Sequence, residues 1–211
     1  ALPILSVHLF QGTPPVEDVR FFLEHHWVRS YNFYSLLAEL AFRFENIEDA
    51  SVFYRNLYGE AGAETPERSH PALLSHLMTY FDIPLRIDFP ALHPLEKAYL
   101  NNRIRCVRHT DVAWGLALLY AVESVSCVNH RRIYELLQRL GVPEQPSEFH
   151  RLHGTQDEID TEEMWALIAK FAPSEDFQRK FMQSLARHFE INRAYFDLLW
   201  EQMQANSLAM A

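Results

Sequence analysis

Apolar residues recur at helical spacing along most of the chain. Val16, Val19, Leu23, Trp27, Tyr31, Tyr34, Leu37, Leu40 and Phe44 fall three or four residues apart. They predict one long helix opening after Gly12-Thr13-Pro14-Pro15, where proline suits the first turn. Phe53, Leu57 and Tyr58 predict a second helix over about 47–59, loosened by Gly59, Gly62 and Pro66. Ser69 as a cap with Pro71 just inside predicts a third, carried by Leu73, Leu74, Leu77, Met78 and Phe81 and stopping near Pro84. Pro84, Pro90 and Pro94 mark 84–94 as a loop.

Four more helices follow by the same reading. One runs from about Pro94 to Arg108. A long one runs from a Thr110 or Asp111 cap to Leu140, ended by Gly141 and Pro143. The sixth opens at Pro146-Ser147 and ends before Pro173. The last, over 174–204, carries Phe177, Phe181, Leu185, Phe189, Phe196 and Leu199 behind a Ser174 cap. Glycine is scarce, with 6 in 211 residues, and no Asn-Gly or Asp-Gly hairpin signal occurs. The pattern predicts an all-α fold of about seven helices. No repeat is visible and neither side of the 84–94 loop looks self-sufficient, so residues 1–211 read as a single helical domain.

Composition narrows the class of function. A chain that is 48% apolar supports a large core, and two cysteines, Cys106 and Cys127, are too few for a disulfide framework. A reducing, cytoplasmic setting is expected. No run of about 18 uncharged apolar residues and no signal-peptide pattern is seen, so no membrane partner is expected. The net charge of −9 argues against a nucleic-acid partner.

Three groups of polar residues carry candidate chemistry. His153, Asp157 and Asp160 are spaced i, i+4 and i+7 and share one face of the sixth helix, beside Phe149, Leu152, Ile159, Met164 and Leu167. Buried carboxylates there would need pairing or a metal. The competing reading is a solvated acidic face with Glu158, Glu162 and Glu163. Glu123 is a lone carboxylate in the apolar run 116–125, which calls for an arginine or a cation. Glu60 and His70 stand at adjacent helix ends, with Glu64 and Glu67 as rival carboxylates. Together Glu60, His70, Glu123, His153, Asp157 and Asp160 supply four carboxylates and two imidazoles from four helical segments. Helical bundles use that mixture for two iron or manganese ions, whereas a zinc site usually holds four ligands.

The segments Asn56-Leu57-Tyr58-Gly59-Glu60 and Ser69-His70-Pro71-Ala72-Leu73-Leu74 resemble the Asn-Leu-x-x-Glu…His-Pro-x-Leu signature of the haem-oxygenase-like superfamily. That superfamily includes thiaminase II, pyrroloquinoline-quinone synthase and the diiron oxidases. Gly12-Thr13 followed by Phe21-Phe22-Leu23-Glu24-His25-His26-Trp27 is similar to its first helix, and the resemblance spans roughly residues 8–200. It implies a haem-oxygenase-like bundle. Glu60, His70, Glu123, His153 and Asp157 match the ligand order of the diiron branch; Asp160 stands where that branch has histidine. The resemblance also implies that His26, Tyr34 and His130 face a substrate cavity. Cys127 lies near the region of the thiaminase II nucleophile, but its flanking residues do not match that motif, and it reads as a buried thiol.

The function implied is a non-haem oxidase with two iron ions, or manganese, and dioxygen as co-substrate. An external reductant would feed it through an electron donor, and its substrate would be a small amine, amino acid or fatty acid undergoing N-oxygenation or oxidative C–C cleavage. Family habit adds a homodimer. The alternatives are a metal-free enzyme like the quinone synthase or thiaminase, and an accessory binding protein with a degenerate metal site.

Overall fold

The computed structural model describes residues 4–210, with the side chains at 155–158, 209 and 210 outside the description. Among the described residues there are nine α-helices and no strand. They are α1 (Ile4–Gln11), α2 (Val16–Ser30), α3 (Phe33–Ala41), α4 (Ile47–Glu60), α5 (His70–Tyr80), α6 (Pro94–Val107), α7 (Val112–Arg139), α8 (Glu144–Phe171) and α9 (Glu175–Met210).

Two of these elements differ from expectation. The predicted long first helix breaks at Tyr31–Asn32, and Asn32, with φ −120°, caps a new helix while its carbonyl accepts from the Ser35 hydroxyl at 2.7 Å. Asparagine competes for backbone hydrogen bonds and so favours helix starts over interiors. The periodicity survives the break because both helices bury apolar faces. The short N-terminal α1 was not anticipated; it is held by Leu5 and Leu9, four residues apart and both fully buried. Elsewhere the boundaries shift by a few residues. Asp111 caps α7 by accepting from the Ala113 N–H at 3.0 Å, and α8 opens at Glu144 with Pro143 as its cap.

The long α7 is the axis of the bundle and packs on α8, α9 and α6. Leu116, Ala117, Leu118 and Leu119 are fully buried. By length and composition alone α7 is apolar enough to cross a membrane, but half of that stretch is buried against its neighbours and Glu123 lies within the helix. Two apolar clusters flank it. One joins α1, α2, α5 and α9 through Leu9, Leu23, Leu74, Leu77, Tyr195 and Leu199. The other joins α3, α4, α8 and the start of α9 through Leu37, Leu40, Phe53, Met164 and Phe181.

A buried polar clamp ties three helices together beneath the first cluster. Glu96 of α6, 1% exposed, accepts from the Tyr195 hydroxyl of α9 at 2.7 Å and contacts His25 Nδ1 of α2 at 3.0 Å. Burial pushes the Glu96 carboxyl up, but the bonds from His25 and Tyr195 outweigh it and hold its pKa below the usual value. Its contribution to stability is therefore present above the unfolded carboxylate pKa and is lost as pH falls through the folded value. We expect Glu96→Ala to cost about 1–3 kcal/mol at pH 7 by stranding the buried Tyr195 hydroxyl. Urea unfolding should show the gap between wild type and variant shrinking below a pH of about 4; a gap that is constant down to acid would remove the charge from this account.

Candidate metal centre

The turn between α4 and α5 builds the first half of the site. Glu60 ends α4, and Gly62 adopts φ +87°, where an added Cβ would meet the Thr65 carbonyl oxygen at 2.3 Å and the Ser69 nitrogen at 2.6 Å. Only glycine fits this conformation and this approach of backbone to backbone. A 3-10 turn at Pro66–Arg68 then delivers Ser69 as the α5 cap and His70 as its first residue, with Pro71 tolerated behind it. As a result Glu60 Oε1 and His70 Nδ1 stand 2.8 Å apart. They are not aligned as a hydrogen bond, since His70 Nδ1 has no hydrogen-bond partner. The rival Glu64 and Glu67 are exposed.

His153 of α8 completes a cluster. Its ring centroid lies 4.3 Å from that of His70, and the ligand atoms of Glu60, His70 and His153 all lie within 4.8 Å of one another. Glu123, 4% exposed, lines the same cavity from α7. The Asp157 side chain lies outside the described residues. Asp160 is half-buried, and no cluster of three ligand atoms among the described residues includes it. Three of the six expected ligands are thus brought together and a fourth shares their cavity.

A second group adjoins the first. His26 of α2, His130 of α7 and His150 of α8 are buried with ligand atoms within 4.8 Å, and His130 Nδ1 lies 2.7 Å from His150 Nδ1. Burial pushes all three imidazoles well below their ordinary pKa, aided by neighbouring positive groups, so they stand neutral. His130 stacks on His153 at 4.7 Å, and Phe149 packs against both at 5.3 and 4.4 Å. His150 escaped the sequence reading, although its i, i+3 spacing from His153 puts the two on neighbouring positions of one helix. His26 and His130 do face the cavity. Tyr34 does not: it is 43% exposed, because the break at Asn32 carries α3 away from the register that α2 would have continued. Cys127 is buried, with its thiol donating to the Gly154 carbonyl at 3.1 Å, as expected of an inert thiol.

All nine helices contribute to the wall of this cavity, whose volume is about 840 Å³. The donor chemistry suits a borderline-to-hard transition metal: one carboxylate and two imidazoles converge, with a further buried carboxylate on the wall. His26 Nε2 and His150 Nε2, both buried, have no hydrogen-bond partner beside them. Residues that would be costly to bury in a dry bundle fit a cation-holding interior.

The family model described as an iron-containing redox enzyme matches residues 20–192. The chain belongs to this iron-containing redox enzyme family. It is therefore an oxidoreductase, and the haem-oxygenase-like bundle is its fold. A protein named 4-aminobenzoate synthase from Nitrosomonas europaea is 28% identical over 198 residues, covering 86% of this chain and 79% of that one. A CADD-like protein of unknown function from Nostoc punctiforme superposes with a TM-score of 0.78 at 14% identity, over 94% of this chain and 87% of that one. At that identity the likeness shows the fold alone.

The turn gives this redox enzyme a testable weak point. Gly62→Ala should cost at least about 1–3 kcal/mol from backbone strain and should also weaken metal uptake, because the same turn aligns Glu60 with His70. Urea unfolding and metal analysis of the variant check both effects; native stability and native metal content would mean that the turn does not position the pair.

Proposed function

We propose that the chain is a non-haem iron oxidase whose centre holds two metal ions and activates dioxygen to oxidise a small molecule. The observation that carries this reading is the convergence of Glu60, His70 and His153 on the wall of a buried cavity. Membership of the iron-containing family supports iron as the native metal, and the mixed carboxylate–imidazole donors also accept manganese. In this reading Glu60, His70, Glu123, His153, Asp157 and Asp160 hold the metals. The anionic carboxylates offset the ionic charge and the neutral imidazoles supply terminal donors. Bound iron would supply the redox chemistry that activates dioxygen, with electrons from an external reductant.

The protein's own contribution is orientation and exclusion of water. Phe22, Leu74, Ile133 and Phe149 wall the cavity with apolar surface. His26 and His130, neutral and cavity-facing, accept or donate a hydrogen bond to the bound substrate without adding charge. The name of the Nitrosomonas europaea relative, a synthase of 4-aminobenzoate, supports biosynthetic chemistry on a small molecule. A cytoplasmic setting belongs to the same proposal, supported by two buried cysteines that are not joined in a disulfide.

The test is iron stoichiometry joined to dioxygen uptake. Glu123→Ala should keep its helical circular dichroism yet lose iron-dependent dioxygen consumption by at least about 100-fold, the order expected when a ligand sphere is broken. Undiminished consumption would make Glu123 a structural residue. Asp160→Ala should selectively lower occupancy of one metal, whereas Asp160→His should retain two. Unchanged metal content in Asp160→Ala would remove that residue from the ligand set.

A further inference from the structure

Beside the histidine cluster, which Arg29 touches through a 3.4 Å contact with His26 Nδ1, the cavity carries a further group of polar atoms. Arg103 of α6 is 4% exposed, and its Nε has no hydrogen-bond partner. His188 of α9 is 3% exposed, and its Nδ1 is likewise without one. Both residues line the cavity, as does Arg29 of α2. His188 is close enough to Arg103 for the guanidinium to depress its pKa; burial is the larger cause, and together they bring it to about 4, so the imidazole is neutral near pH 7.

Neither arginine forms a close ion pair among the described residues; Glu123 and Arg103, and Glu96 and Arg29, feel each other's charge only at longer range. Arg103 Nη1 donates to the Arg29 carbonyl at 2.5 Å, and its guanidinium lies over the rings of Phe33 and Tyr99, each at 5.7 Å. Arg29 donates from Nε to the His25 carbonyl at 3.3 Å and lies over Phe196 at 5.0 Å and Tyr195 at 5.6 Å. Aromatic faces and carbonyls orient a guanidinium but do not cancel its charge. A buried cation without a counter-ion is costly, and an unused buried N–H adds to that cost. Arg103 is buried at the cavity wall with no close ion pair, and half-buried Arg29 stands beside it, while Arg103 Nε and His188 Nδ1 remain without hydrogen-bond partners.

We propose that Arg103, His188 and Arg29 form an anion subsite that binds the carboxylate of a small substrate and holds its apolar body between the aromatic walls toward the metal centre. The orientation rests on the metal reading above; the subsite itself does not. Arg103 Nε and the His188 ring supply directed hydrogen bonds, and Arg29 supplies a second positive charge. A planar two-oxygen anion suits the guanidinium fork better than a point anion does. Phe33, Tyr99 and Phe196 limit the bound molecule to a compact apolar or aromatic body.

Calorimetric binding of benzoate, benzamide and phenyl phosphate to the full chain, metal-free and manganese-loaded, tests the proposal. Benzoate should bind in both states. Benzamide, of the same shape but uncharged, should bind at least about tenfold more weakly, and phenyl phosphate more weakly than benzoate. Arg103→Met should weaken benzoate at least about tenfold while leaving manganese uptake intact. Arg103→Lys, which keeps the charge and loses the fork, should fall between the two. Equal binding of benzoate and benzamide, unchanged affinity in Arg103→Met, or no benzoate binding by the wild type would overturn it. Tighter binding of phenyl phosphate would overturn the carboxylate assignment in favour of a phosphate. Failure of the two-metal reading would appear separately, as absent metal uptake with benzoate binding preserved.

Discussion

The cost of burying ionisable groups inside a helical bundle governs the rest of this structure. Glu60, Glu123, His26, His130, His150 and His153 are all buried, in an interior whose apolar side chains are led by leucine. An apolar core would be cheaper at each position. Each group becomes tolerable only with a partner, and Glu60, His70 and His153 are arranged so that one cation can serve all three at once. The glycine at 62 and the paired helix ends bring Glu60 and His70 together, and α8 adds His153 to them.

The apolar scaffold and the polar interior are separable in physical terms. The two hydrophobic clusters fix how the helices cross, and the Glu96–Tyr195–His25 clamp locks α6 to α9 and α2 beneath them. Its carboxylate is satisfied within the protein, which is what a structural buried charge requires. On the cavity wall, by contrast, His26 Nε2, His70 Nδ1, Arg103 Nε and His188 Nδ1 have no hydrogen-bond partner, which fits side chains that serve something bound.

Much of this was legible in the sequence because helical period and chemistry-bearing residues leave local marks. Leu116 to Leu119 and the 174–204 stripe give helices directly, and a lone Glu123 in an apolar run announces itself as buried. The Glu60–His70 pair was legible through the turn and cap residues between them. The break at Asn32 was not, since apolar periodicity continues across it, and Tyr34 was misplaced as a consequence. His150 left only a weak mark, its i, i+3 spacing from His153, because a histidine between Phe149 and Arg151 is compatible with either face of the helix. Arg29 and Arg103 were hidden for a different reason: arginine is exposed by default, and only the packed bundle reveals that these two are drawn to a cavity.

The central claim is that the buried carboxylates and imidazoles hold metal. Crystals of the iron-loaded chain, measured on both sides of the iron absorption edge, test it most directly. Two anomalous peaks are expected in the cavity, one of them in contact with Glu60, His70 and His153. Anomalous density that is absent from the cavity, or confined to surface residues, would contradict it.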